Sequence, residues 1–498
     1  MRDSVYPSSI LLFAGLALSG CADQFEAASK DEATASSRPL RVSDAHPAYD
    51  WAAVLWGEGD EDEIKAITTD TQGNIYVSGT FDETLNIEGF SGEPFTASGE
   101  TDIMLIKFNP DESVEWARAY GGEGEDAVFA MTSDADDNIY LSGAFTESIV
   151  FGDYSLSSSG VDDREMMVVR VDADGDVDWA VSAGGTGADG GNEIEVGPRE
   201  TVVVIADSNG DFEARNDDEI VFSSPRFGDD PRTSHVLTLD ASSGAFQWGA
   251  SVIGDGAVRG KCLTVSSAGI IYMGGDYDGA MDLVGEGDPV SLPEAETRDA
   301  FLSAWNKDGK PLGGTAWGGA GADLCKAAVA TPAGDVYLVG YFTGETMFNE
   351  TSLEANRQDL FVWKINRRGE TIWLRQVTSP ALLGGAEAVL GPDDGLLFGF
   401  QLTDDVTFTE SDGAETRVAL PTPRTQWPLF VGYTADGDVD FTLLPEDSDR
   451  ANFSELSRAG DRVYVDIPIR SGTYTVGDET WDESDTKDAL LGAIDLTP

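Results

Sequence analysis

The chain has 498 residues, with 91 Asp and Glu against 31 Lys and Arg and a formal net charge of −60. That balance excludes general nucleic-acid binding, which needs basic side chains to displace counterions from phosphates, and it excludes electrostatic adhesion to anionic lipid. With only two histidines, His46 and His235, and no CxxC, P-loop or dinucleotide fingerprint, the sequence supports neither His-based catalysis nor a His-zinc site.

Residues 1–20 have the form of a signal peptide: Arg2, an apolar run Ile10–Leu18 too short to span a bilayer, then Leu18-Ser19-Gly20-Cys21. The tetrapeptide is similar to the bacterial lipobox, and that resemblance implies a lipoprotein carrying palmitate-type acyl chains at Cys21. Ala22 in the following position, by the same resemblance, favours the outer membrane over the inner. Residues 21–47 are polar, poor in aromatics and without periodicity, and read as the lipidated cysteine and a flexible tether.

From residue 48 to 498 a unit of about 65 residues recurs seven times. Copies start at Trp51, Trp116, Trp179, Trp248, Gly313, Trp373 and Phe441, with spacings of 65, 63, 69, 65, 60 and 68 residues. The first copy predicts strands at Ile64–Thr69, Asn74–Thr80, Asp102–Phe108 and Glu115–Tyr120, rich in Val, Ile, Tyr and Phe and bounded by Gly, Asn, Asp or Ser. Tight turns such as DTQGN and DADGDV join the first strand to the second and the third to the fourth. The second-to-third connection, of about 20 residues, holds a G-x-F and a further apolar cluster.

Four antiparallel strands repeated seven times predict an all-β fold, a seven-bladed β-propeller. The last copy (FSELSRA, RVYVDI, ALLGAID) lacks a fourth strand, and Asp50–Leu55 precedes the first complete triplet. The N-terminal strand is therefore expected to complete the C-terminal blade and close the ring. An open solenoid would need capping units at both ends.

The pattern W-A-x-x-x-G-G-x-G, D-x-x-G-N-x-Y-V-x-G-x-F, D-x-F-x-x-K resembles the β-propeller repeat of bacterial surface and secreted proteins. Here it reads DWAAVLWGEG, DTQGNIYVSGTF, TDIMLIKF in copy one and GTAWGGAGADL, TPAGDVYLVGYF, QDLFVWKI in copy five. It spans about residues 50–498 and is most eroded in copies three, six and seven. The resemblance implies a surface-exposed propeller and carries no standard catalytic set.

Candidate site residues come from departures from the repeat. The position eleven residues before the repeat Tyr is Lys65, Lys261 and Lys326 in copies one, four and five, a concentration in a chain with nine lysines. Phe129 and Phe453 stand there in copies two and seven. This position lies at the start of the innermost strand, near the mouth of the central channel, where cations flanked by aromatics could hold a carboxylate or uronate. The plainer alternative is that each Lys pairs with a local carboxylate such as Asp62 or Asp323. Trp427 and Trp481 fall outside the repeat positions, in loops, and are candidates for stacking on a glycan, though packing explains them as well. His235 reads as a packed strand residue. The Asp-rich turns at Asp172–Asp176 and Asp436–Asp438 superficially resemble calcium loops but lack the Gly and Glu of an EF-hand, so no metal or other cofactor is assigned and calcium stays open.

Besides Cys21 the cysteines are Cys262 and Cys325. A disulfide is the first expectation in an oxidising compartment, but alignment on Tyr272 and Tyr337 disfavours it. Cys262 lies ten residues before its Tyr and Cys325 twelve before, so the two share strand parity and should point the same way round the ring.

These observations lead to a monomeric, lipid-anchored envelope propeller, facing the periplasm or the cell surface, that binds an envelope protein or polysaccharide without catalysis. One alternative is a glycosidase or lyase using carboxylates at the channel mouth. Another is an outer-membrane assembly or quinone-cofactor propeller, which Leu239-Asp240-Ala241-Ser242-Ser243-Gly244 faintly resembles, though such units are shorter.

Overall fold

A computed structural model describes residues 41–42, 51–57, 62–160, 163–226, 232–381, 383–420, 426–444, 456–460, 462–469, 472–476, 479–483 and 488–495. Those residues form β-sheets that are antiparallel except where Arg41–Val42 pairs in parallel with Val439–Leu443, with one short 3-10 turn at Pro392–Asp394 as the only helical element among them. The first unit comprises Glu63–Thr69, Ile75–Phe81, Asp102–Phe108 and Val114–Gly122, paired in that order. The predicted strands therefore stand within one or two residues of their observed bounds. The same four-strand order recurs from Asp126–Ser133 to Val177–Gly184, and again from Asp189–Gly197 to Phe246–Gly254. It continues from Val258–Val265 to Pro311–Gly319, from Leu324–Ala330 to Thr371–Thr378, and from Gly384–Leu390 to Val439–Leu443.

The seventh sheet begins with Leu456–Ala459, Arg462–Ile469 and Asp488–Asp495. Its fourth strand is Trp51–Gly57, which pairs antiparallel with Asp488–Asp495 in the register Trp51↔Ala493 to Leu55↔Ala489. The first strands of the units touch one another in cyclic order, and Leu456–Ala459 contacts both Gly384–Leu390 and Glu63–Thr69.

The repeat signature has physical causes. Asp70 Oδ1 accepts the N–H groups of Gln72 (2.9 Å) and Asn74 (2.8 Å), closing the first hairpin, and Tyr76 Oη donates to Asp70 Oδ2 (3.2 Å). Asp134, Asn138 and Tyr140 repeat this arrangement one unit on. Asp172 works the same way, its Oδ1 accepting from the N–H groups of Asp174 (3.0 Å) and Asp176 (2.9 Å). This acid-rich loop is thus an Asx turn satisfied by its own backbone.

The outer-strand Trp is an inter-unit latch. Trp116, Trp179, Trp248 and Trp373 donate their indole N–H to the carbonyls of Ala173, Ala241, Lys307 and Ala435, each in the outer turn of the next unit. The indoles of Trp116, Trp179 and Trp373 are buried and that of Trp248 is partly so, and the neighbouring turn supplies the partner that each N–H needs.

The long second-to-third connection is not a loop. It folds into a further hairpin that pairs with the outer strand of the preceding unit. Thr84–Ile87 joins Trp51–Gly57, Ser148–Phe151 joins Val114–Gly122, and Phe212–Asn216 joins Val177–Gly184. Glu345–Phe348 and Val406–Thr409 do likewise further along the chain. In unit four the hairpin is continuous with its sheet, through Ile271–Val284 and Val290–Trp305, and this fuses two units into one ten-stranded sheet. The outer strands of units one to five and Trp51–Gly57 are thereby covered, whereas Val439–Leu443 of unit six pairs in parallel with Arg41–Val42, and the hairpin of unit seven, Gly472–Val476 with Glu479–Glu483, forms a two-stranded sheet of its own. The second glycine of the repeat's Gly-Gly makes the docking possible: a Cβ on Gly122 would lie 1.6 Å from the Ser148 carbonyl oxygen of the docking hairpin.

The cores lie between adjacent units, built for example from Phe81, Leu85 and Met104 with Leu55 and Leu491. Among the described residues no helix is long and apolar enough to cross a membrane.

Candidate functional site

One irregularity recurs in every first strand whose start is described. A β-bulge interrupts its pairing with the second strand at Lys65, Phe129, Asn192, Lys261, Lys326 and Gly385. A bulge leaves one residue outside the ladder and re-aims its side chain. The glycine of the Y-V-x-G motif sits opposite: a Cβ on Gly79 would lie 2.0 Å from the Glu63 carbonyl oxygen. The position singled out by its lysines is thus the bulge position itself. Phe453, its counterpart in the seventh unit, lies outside the described residues, as do Cys21, the leader and all of the expected tether except Arg41–Val42, a strand paired in parallel with Val439–Leu443.

The lysines do not make a cationic mouth. Lys65 is half-exposed and ion-paired with Glu63, two residues away. Lys261 and Lys326 stand among carboxylates. Burial pushes Glu193 up to about 7, against the opposing pull of Lys326 and Lys261. Burial likewise raises Glu387 to about 8, with Lys326 pulling it down and Glu193 and Asp466 pushing it up. Glu195 is raised to about 8 by burial, while the Val265 N–H (3.0 Å) holds it back. Asp207 is raised by burial despite its bond from Ser234 Oγ and the nearby Lys261. By area Glu193, Glu195 and Glu387 are only half-buried. The protein around these carboxyls disfavours the charged form and so displaces their titration.

Glu193 comes from unit three and Glu387 from unit six, and Lys326 of unit five acts on both while Glu193 acts on Glu387, so three units contribute to one charged cluster. Sequence reasoning missed both. The signal was present: aligned by strand register, they occupy the place held by Ala66, Ala130, Cys262 and Ala327 in other units. A glutamate at a position otherwise small marks a departure from the scaffold.

Other candidates fare differently. Phe129 is half-buried, with the Arg164 guanidinium 5.9 Å from its ring centroid. Trp427 is not in a loop. It begins the strand Trp427–Tyr433 and is buried in the core, at the strand-start position that Asp102 and Asp359 hold in their units, so it offers no face to a glycan. Trp481 is also in a strand, Glu479–Glu483, opposite Tyr474; its side chain lies outside the described residues. His235 is fully buried between Ser208 Oγ (2.8 Å) and Ser251 Oγ (3.0 Å), stacked on Phe212, and burial lowers its pKa to about 3. It is a neutral core residue.

Cys262 and Cys325 are free thiols in this structure, yet their Sγ atoms lie 3.5 Å apart. The expectation that shared parity would keep them from facing each other fails because of the bulges. Cys262 follows the bulge at Lys261, whereas Cys325 precedes the bulge at Lys326, so the extra residue reverses one side chain relative to the other.

Among the described residues no group of three or more His, Cys, Asp or Glu side chains is arranged to hold a metal. An open recess of about 460 Å³, lined by Asp70, Gln72, Pro110, Arg458 and Tyr464 among others, lies at the hairpin end of the inner strands, away from the bulges.

No protein-family model matches the chain, and no curated protein matches its sequence. Solved structures with some likeness include the quinohemoprotein alcohol dehydrogenase ADHIIG of Pseudomonas putida HK5, at 10% identity and a TM-score of 0.37, over 92% of this chain and 78% of that one. Virginiamycin B lyase from Staphylococcus aureus is similar at 10% identity and a TM-score of 0.32, over 89% and 99% of the two chains. A member of the duf4221 family from Bacteroides vulgatus is similar at 8% identity and a TM-score of 0.34, over 90% and 98%.

Proposed function

We propose that this chain is a seven-bladed β-propeller, closed by its N-terminal strand and lipid-anchored in the cell envelope through Cys21, that binds a polysaccharide or envelope protein at its inner-strand bulges. The observation that carries the binding role is the bulge series. Five inner strands release the equivalent residue from the ladder, and what stands there varies from Lys to Phe and Asn; the sixth releases the residue one place earlier, Gly385. The cyclic contacts of the first strands and the pairing of Trp51–Gly57 with Asp488–Asp495 support the closed ring.

The charges around the bulges favour one class of ligand. Two lysines among glutamates that titrate near neutrality suit a polymer bearing both carboxylate and amine or hydroxyl groups, better than a purely anionic one. Envelope polysaccharides containing uronates and amino sugars have that chemistry.

The test is binding of the full chain carrying Cys21→Ser to a panel of neutral, uronate-containing and amino-sugar-containing polysaccharides, with envelope extract in parallel. Expected is retention of one charged class and a loss of at least tenfold in affinity, about 1.4 kcal/mol, in Lys261→Ala/Lys326→Ala. For a ligand with net negative charge, affinity should fall between pH 6 and 9 as Glu193 and Glu387 ionise. No binding to any glycan or extract would defeat this reading.

A second reading has a specific observation behind it. Glu193 and Glu387, raised to about 7 and 8 with Lys326 acting on both, would supply the two carboxyls that glycosidic or lyase chemistry needs, in a range suited to proton transfer. Released oligosaccharide that disappears in Glu193→Gln or Glu387→Gln would establish it.

A further inference from the structure

Cys262 and Cys325 are both buried, 4% and 0% exposed, on the first strands of neighbouring units. Their Sγ atoms are 3.5 Å apart. Glycine at position 274, opposite Cys262 in the ladder, leaves room for both: a Cβ there would lie 2.7 Å from Cys262 Sγ and 3.0 Å from Cys325 Sγ. Two thiols alone are too few for a closed thiolate metal site, and no His or third Cys joins them among the described residues.

We propose that Cys262 and Cys325 are an oxidation site, joined in the mature protein by a disulfide that staples unit four to unit five across their inner strands. The two thiols give up two protons and two electrons as the S–S bond forms. A disulfide-bearing oxidant, protein or small molecule, accepts them and leaves as two thiols. Closing the remaining gap between the sulfurs is a matter of side-chain rotation, since bonded cysteines keep their Cα atoms several ångströms apart.

Burial sets the timing. The hydrogen bond with Cys325, burial and the proximity of Glu193 push the Cys262 thiol well above its ordinary value. Thiol–disulfide exchange proceeds through the thiolate, so the folded pair is nearly inert to exchange. The bond therefore forms while the chain is folding, before unit five seats against unit four. Once formed, it is shielded from reductant by the same burial. Each cysteine is adjacent in sequence to a bulge lysine, Lys261 or Lys326, so the staple also fixes the spacing of two charged positions in the binding region.

The test uses the full chain carrying Cys21→Ser, refolded in a glutathione redox buffer and, separately, under strong reductant. Thiols are counted in denaturant, and the non-reduced digest is searched for a peptide pair joining Cys262 to Cys325. Expected are no free thiol, the cross-linked pair and a Tm several degrees above that of the reduced protein. Protein already folded in reductant should oxidise at least tenfold more slowly in the same buffer than refolding chain. Cys262→Ser and Cys325→Ser should each abolish the Tm difference between the two buffers. Two free thiols in natively folded protein from the oxidising refold would overturn the proposal, and that count stands even if a serine variant fails to fold.

Discussion

Asp126 is fully buried between the first two units, with one carboxylate oxygen accepting the Gly122 N–H at 2.8 Å. Burial raises it to about 8, and the nearby Asp102 adds to the rise. The junctions that follow repeat this pairing of acids. Asp189 is raised by burial to about 7 with Glu165 adding to it, Asp299 by burial to about 7 with Asp323 adding to it, and Asp323 by burial to about 6. A carboxyl raised in the folded state contributes stability that is fully present below its unfolded value, about 4, and is lost as pH rises through its folded value. The Tm of this protein should therefore decline from pH 5 to pH 9, the reverse of a protein held by salt-bridged carboxylates. Asp126→Asn keeps the acceptor for Gly122 and removes the charge, so it should flatten the decline between pH 7 and 9, as read by calorimetry. Calcium added at pH 8 is a direct check on whether a cation shares these sites: a restored Tm would mean that it does.

The strand elements were legible because their residues are Val, Ile and aromatic runs cut by Asx and Gly turns, and those local forces decide the pairing. The outer hairpins were not. Segments such as Thr84–Ile87 and Thr351–Glu354 are four residues long, and their hairpins pair with the outer strand of the preceding unit. That docking partner is invisible to a pattern read along one unit. The Trp latch was half-visible: the repeat Trp was plain, but its hydrogen bond runs to a turn about 60 residues away. Trp179→Ala should cost about 3–5 kcal/mol, measured by denaturant unfolding, through the lost ring and the stranded Ala241 carbonyl. Trp179→Phe should recover most of the packing and leave the hydrogen-bond loss. At the bulges the sequence marked the lysine positions and hid the geometry, because one extra residue per strand reverses a side chain without altering the composition. This is why the face-to-face cysteines were misjudged and Glu193 and Glu387 overlooked.

At the scale of the whole molecule, the pairing of Trp51–Gly57 with Asp488–Asp495 joins residues more than 430 positions apart. So non-local a contact forms late and slowly. Leu55 and Leu491 lie in the core beside that seam. Leu55→Asp would place a charge there, and the expected outcome is a Tm lower by at least 10 °C with loss of a single cooperative transition, checked by calorimetry. An unchanged transition would show that the seventh sheet does not need its N-terminal strand. The recurring bulge has a consequence in descent as well as in structure. A residue that holds no place in the ladder can change without penalty to the sheet around it. A lineage could therefore exchange one such side chain after another, trading specificities by drift while the architecture persisted, and closely related chains of this kind would share every strand yet prefer different partners.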